Sequence, residues 1–159
     1  MLSYLKKVLI PQSDLWGKSS REIGRKQQDK KVQLATCILF VELANADNQF
    51  LREEMEKIFS IMKGTFGDID EKDIKELIEI AREKIKADES TYEYTTIISE
   101  NFSNSEKYEL LKNLWRLVFA DRSMDQYEEH IVKKIGMLIN VDYRDIISAK
   151  LLVKQELRI

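Results

Sequence analysis

The sequence predicts an all-α domain of about seven helices, arranged as two pseudo-symmetric helix–turn–helix halves around two buried central helices. Three observations carry this expectation. The chain holds one proline and five glycines in 159 residues, so few positions break a helix. From Lys31 onward apolar side chains recur at three- and four-residue spacing, and no alternating strand pattern competes. A stretch near residue 47 returns near residue 121 with the same order of apolar, acidic and turn residues. Apolar residues make up 43% of the chain and charged residues 34%, which suits one domain with a proper core and excludes a disordered chain.

Residues 1–29 read as a basic leader, partly helical or loosely packed, and residues 30–159 as the helical domain. Up to Lys31 there are eight basic and three acidic side chains, a balance of +5. The whole chain carries −2, so the remainder carries −7. An acidic body of this kind is unsuited to general nucleic-acid binding, which needs clustered cations. "YLKKVLI", ending before Pro11, fits a short amphipathic helix laid across the domain, with weak membrane-surface contact through residues 1–10 as the sharper alternative. The start is too short and too quickly charged for a secretory signal, and no apolar run approaches the roughly 20 residues of a membrane span. The single cysteine, Cys37, excludes an internal disulfide and reads as a core residue in "LATCILF". A cytoplasmic location is the expectation.

"VQLATCILFVELANA" is apolar on nearly every face, as a central helix must be. "LREEMEKIFSIMKG" follows with Met55, Ile58, Phe59 and Met62 at helical spacing, and Gly64 and Gly67 end it. "DEKDIKELIEIAREKIKA" carries Ile74, Leu77, Ile78, Ala81 and Ile85 on one stripe, with Asp70 at the N-cap position. Ser90 with Glu93 and Ser103 with Glu106 have the capping-box spacing and open the next two helices. Tyr92, Tyr94 and Phe102 read as core, with an apolar surface patch as the alternative. "LWRLVFA" predicts a second central helix, apolar all round. "DQYEEHIVKKIGMLI" and "VDYRDIISAKLLVKQEL" complete the chain, with Asp142 capping the last helix.

The repeat aligns "FVELANADNQFLREEMEKI" with "LWRLVFADRSMDQYEEHIV" at a constant offset of 74 residues, the distance from Asp47 to Asp121. Each unit is a buried helix, an Ala-Asp dipeptide, a short turn with an apolar plug, and an acidic helix start. A carboxylate where a helix ends opposes the negative end of the helix dipole and needs compensation. Asp47 and Asp121 either cap the following helix or hold a cation. Glu54 and Glu128 lie seven residues further on, and two carboxylates brought close repel unless a cation, a basic group or a proton intervenes. Four carboxylates, Asp47, Glu54, Asp121 and Glu128, would suit calcium or magnesium. The capping alternative is stronger for Glu128, which forms a capping-box pair with Asp125, than for Glu54, whose counterpart is Leu51.

These turns are not EF-hands: Gln126 occupies the glycine position and Val132 that of the final glutamate, while Gln49 and Leu51 fail in the first turn. The residues give no enzyme. The lone histidine, His130, reads as a surface residue among glutamates, and neither a nucleophile–base pair nor a phosphate-binding glycine loop is present.

"NADNQFLREEMEKI" and "FADRSMDQYEEHIVKKIGMLINV" resemble the tellurite-resistance TerB-like family, over roughly residues 30 to 155. The resemblance implies an all-helical fold and an acidic surface proposed to hold metal ions, with Asp47, Glu54, Asp121 and Glu128 carrying over. The family includes the amino-terminal domain of a membrane-associated co-chaperone. Here the family's glycine after each Asp is replaced by Asn48 and Arg122, and Arg122 brings a cation beside the second carboxylate. The expected function is a small scaffold or sensor module in a tellurite-type stress response, holding a divalent cation through its acidic turns. The alternative is a protein-interaction module whose carboxylates are structural and bind no metal. Either way the expected partner is another protein.

Overall fold

A computed structural model describes residues 20–46, 52–87, 90, 92–121 and 126–159, with the side chains of residues 20–28 and Asp121 excepted. Among these residues the chain forms seven α-helices and no strand: α1 (Ser20–Ala44), α2 (Arg52–Thr65), α3 (Glu71–Lys86), α4 (Tyr92–Asn101), α5 (Asn104–Val118), α6 (Gln126–Leu138) and α7 (Tyr143–Leu157). A short 3-10 turn, Phe119–Asp121, follows α5. The expected all-α class and helix count are both present. The sequence readings on residues 1–19 lie outside the described residues.

The core is built on α1. Between Val32 and Ala44 every side chain is buried except those of Gln33 and Glu42. A helix apolar on all faces must be covered on all faces, and α1 packs against α2, α3, α4, α5 and α6. The buried Thr36 hydroxyl donates to the Val32 carbonyl at 2.7 Å, so it adds no unsatisfied polar group. The predicted stripe of α3 is buried at Ile74, Leu77, Ile78 and Ala81 and half-buried at Ile85.

The contacts of the two repeat units run in parallel: α1 packs on α2 and α3 as α5 packs on α6 and α7, and α1 touches α6 as α5 touches α2. α4, packed on α1 and α6, has no counterpart. The second central helix differs from expectation. α5 buries Leu110, Leu111, Leu114, Trp115, Leu117 and Val118, but Lys112, Asn113 and Arg116 stay half-exposed. Fewer helices cover α5 than α1, so one of its faces carries polar groups. There Arg116 grips Glu156 of α7 with two hydrogen bonds, Nε–Oε2 at 2.8 Å and Nη2–Oε1 at 2.9 Å. The 74-residue offset places Glu42 and Arg82 at these positions in the first unit, the same two charges in reversed order.

The capping box at α5 is formed: the Ser103 hydroxyl accepts from the Glu106 N–H at 3.1 Å, and the Glu106 carboxylate accepts from the Ser103 N–H at 2.9 Å. Ser103→Ala is expected to cost about 1 kcal/mol and to lower Tm by roughly 2–4 °C, read by thermal circular dichroism. The start of α4 is different from the predicted box, because α4 begins at Tyr92 and Ser90 Oγ accepts from the Tyr92 N–H at 3.3 Å. Asp70 and Asp142 occupy their N-cap positions with extended backbone but make no side-chain cap bond. Tyr92 is exposed, while Tyr94 and Phe102 pack against the core.

α6 ends in a tight reversal. Asn140 takes the left-handed conformation (φ 66°), its N–H donates to Met137 O at 3.0 Å, and the Val141 N–H donates to Gly136 O at 2.9 Å. This pair of bonds is a Schellman motif, which satisfies the last carbonyls and turns the chain into α7. Asparagine tolerates the left-handed region because its short side chain bonds locally. Here its amide donates to Ser99 Oγ at 2.6 Å.

Candidate functional site: two acidic turns

Each acidic turn follows a central helix. α1 closes with the Asn45 N–H donating to Val41 O at 2.9 Å and the Ala46 N–H donating to Leu43 O at 3.2 Å. Asp47, Asn48, Phe50 and Leu51 lie outside the described residues. α2 then opens with Glu53 and Glu54 in its first turn, Glu53 exposed and Glu54 half-buried. In the second unit the 3-10 turn carries the chain from α5 to Asp121, and Phe119 stacks on Trp115 with ring centroids 6.1 Å apart and planes at 19°. Arg122 to Asp125, and with them the Asp125–Glu128 capping box, lie outside the described residues. α6 opens with Glu128 and Glu129 in its first turn, both half-buried.

Of the four predicted ligands, Glu54 and Glu128 are therefore placed as whole residues, Asp121 by its backbone, and Asp47 not at all. Both glutamates sit in the first turn of a helix, at the positive end of its dipole. Each also makes a polar or electrostatic contact within the protein. Among the described residues no three His, Cys, Asp or Glu side chains are grouped to hold a metal ion. The four predicted ligands are all carboxylates, the donor type that calcium and magnesium take.

The structure adds a carboxylate to which no local pattern points. Glu129 Oε1 lies 2.6 Å from Lys150 Nζ of α7 and 3.3 Å from Lys133 Nζ, one turn along α6. Lys150 Nζ also stands 5.5 Å from the centre of the Trp115 ring. Trp115 is fully buried, and its Nε1–H donates to Ile146 O at 3.0 Å. The hydrogen bond from Lys150, reinforced by Lys133, holds the Glu129 carboxyl below its ordinary range against the opposing effect of burial. Glu129 in turn holds the Lys133 ammonium above its ordinary range. Lys150 stands 21 residues from Glu129, beyond the reach of any helical spacing rule.

A carboxylate with a lowered folded-state pKa contributes stability above its unfolded value, near 4.3, and loses it as pH falls through the folded value. Glu129→Gln is accordingly expected to cost about 1–2 kcal/mol at pH 7. The difference from the parent should shrink as pH falls below about 4.3 and vanish only once pH lies below the lowered folded-state value, checked by urea unfolding at a series of pH values. A deficit that persists in acid would remove the charge from the explanation.

Cys37 is fully buried, and burial pushes its thiol far up, away from the thiolate form. His130 is exposed, as expected. A cleft of about 640 Å³ lies between α2 and α5, and three of its four charged residues have other partners. Glu106 serves the capping box, Arg116 binds Glu156, and Glu109 pairs with Lys112 at 2.7 Å. No helix among the described residues is long and apolar enough to cross a membrane.

A family model described as tellurite resistance protein TerB matches residues 33–151, about three-quarters of the chain. No curated protein and no solved structure matches it significantly.

Proposed function

The chain belongs to the TerB family, and from that premise we propose that it is a small, non-enzymatic helical scaffold or sensor module of the cytoplasm. It acts in a tellurite-type stress response and holds a divalent cation between its two acidic turns. The observation that carries this reading is the half-buried glutamate in the first turn after each central helix, Glu54 in α2 and Glu128 in α6, in a chain of this family. Asp47 and Asp121 would complete an all-oxygen donor set for calcium or magnesium. A bound cation would relieve the repulsion among four carboxylates.

Calorimetric titration with calcium, magnesium and zinc tests the cation. Binding of calcium or magnesium is expected, weakened about tenfold or more in Asp47→Ala and Asp121→Ala. Absence of heat in the parent chain, or undiminished binding in both variants, would sink it.

One observation favours a second reading, a protein-interaction module with structural carboxylates. The outward face of α7 carries an apolar patch: Tyr143, Leu151 and Leu152 are exposed beside Ile147, bordered by Arg144, Ser148 and Gln155. A partner captured from cell extract in the presence of chelator, and lost in Leu151→Glu, would favour that reading.

A further inference from the structure

We propose that the cleft between α2 and α5 is a docking groove for an acidic amphipathic helix of a partner protein. The fold already seats a helix in the corresponding place, where α4 packs on α1 and α6. At the 74-residue offset Asn140, which reaches α4 through Ser99, corresponds to Phe66, and Ile135 of α6 corresponds to Ile61. Phe66 and Ile61 both line the cleft. The matching segment of the first unit does not fill this second seat. Residues 20–27, the counterparts of residues 94–101 in α4, continue α1 as one unbroken helix. A smaller cleft of about 330 Å³ extends the first past Lys57 and Arg116, which line both, to Phe119. Together they follow α2 from Glu53 to Thr65, about 18 Å at the helical rise, enough for a helix the length of α4.

The walls identify the kind of occupant. Val32, Ala35 and Leu39 of α1 and Ile131 of α6 are buried, and their counterparts in the cleft are Glu106, Glu109, Asn113 and Lys57. A seat that is permanently covered can be apolar throughout. One that empties into water needs polar walls around a small apolar floor, which Ile61, Phe66, Phe102 and Leu110 supply here. Three of the charges are already engaged: Glu106 with Ser103, Glu109 with Lys112, and Arg116 with Glu156. Lys57 is exposed where the two clefts meet. It feels Glu156, but Arg116 holds both oxygens of that carboxylate. Lys57 is therefore the cation that a carboxylate on the docked helix would pair. The proposal rests on the scaffold reading under Proposed function and not on its cation.

The test titrates the isotope-labelled full chain, in EDTA, with two synthetic helical peptides and follows its amide signals by NMR. Both peptides carry leucines at i, i+3, i+4 and i+7. One has glutamate at the edge of that stripe and the other lysine. The glutamate peptide is expected to shift residues 57–66 and 105–116 saturably below about 1 mM. The lysine peptide should bind about tenfold more weakly, and Lys57→Glu should reverse the order. Ser60→Trp, which fills the cleft from an exposed position, should abolish binding with Tm unchanged. No saturable shift, shifts centred on α7, or binding that survives Ser60→Trp overturns the groove. Equal affinity for the two peptides overturns the acidic occupant. Signals of residues 57–66 that move on dilution of the chain alone would assign the groove to a second copy. A spin label on Ser3→Cys that broadens the same signals would assign it to the chain's own leader. Either result overturns the partner helix. Calcium calorimetry decides the cation separately, so the two readings fail independently.

Discussion

Trp115→Ala is expected to remove about 3–5 kcal/mol of stability. A domain of this size has roughly 5–15 kcal/mol in total, so the variant should sit at or near unfolding at 37 °C. Trp115 is the largest fully buried side chain among the described residues. Its removal opens a cavity where α5 meets α7 and deletes the Nε1–H bond to Ile146 O. It also strips Phe119 of its stacking partner and Lys150 of the ring it faces. Trp115→Phe separates these contributions. It keeps most of the apolar volume and loses the hydrogen bond, so about 1 kcal/mol is expected. Urea unfolding followed by circular dichroism measures both variants. A cost below about 2 kcal/mol for the alanine variant would mean that the site collapses around the gap.

Gly136→Val is expected to cost about 3 kcal/mol by overpacking. Gly136 is buried in α6 where that helix lies against α7. A Cβ there would stand 2.6 and 2.7 Å from Cδ1 and Cγ1 of Ile146, and 3.2 Å from Cδ2 of Leu111. Ile146 is itself fully buried, and its carbonyl receives the Trp115 bond, so neither its side chain nor its backbone has room to withdraw. Valine adds two further methyl groups to that clash. Gly136→Ala should cost less, because alanine recovers up to about 1 kcal/mol of helix propensity. Gly64 supplies the contrast: a Cβ at that position would meet nothing within 4 Å, and the residue is exposed in the last turn of α2. Gly64→Ala should therefore be neutral or stabilising by up to about 1 kcal/mol. Equal effects at the two glycines would remove close helix approach as the cause.

Much of the helical frame was legible because it depends on neighbours a few residues apart. The stripe of α3 and the Ser103–Glu106 box follow from helical periodicity and from the needs of a helix start, and both lie where the residues placed them. The all-round apolar surface of α1 announced its central place. For α5 the same inference overreached, since "LWRLVFA" contains Arg116 and a single charge marks a face that reaches solvent. The caps show a similar limit. Asp70 and Asp142 stand where an N-cap belongs, yet cap position does not oblige the side chain to turn inward.

The candidate site divides along the same line. The duplicated Ala-Asp turns and the glutamates that follow them are local patterns, readable from spacing alone. The Glu129–Lys150 pair and the Arg116–Glu156 clamp arise only when distant helices meet.

By itself, then, the sequence determined the helical class, the approximate helix count, the central position of α1 and the family, because periodicity, capping and a repeated motif are written within short stretches. The tertiary structure decided which face of α5 stays open, how closely α6 approaches α7 at Gly136, and that Lys150 of α7 meets Glu129 of α6. Those outcomes depend on which side chains from separate helices share one space, a relation that no single stretch of chain contains.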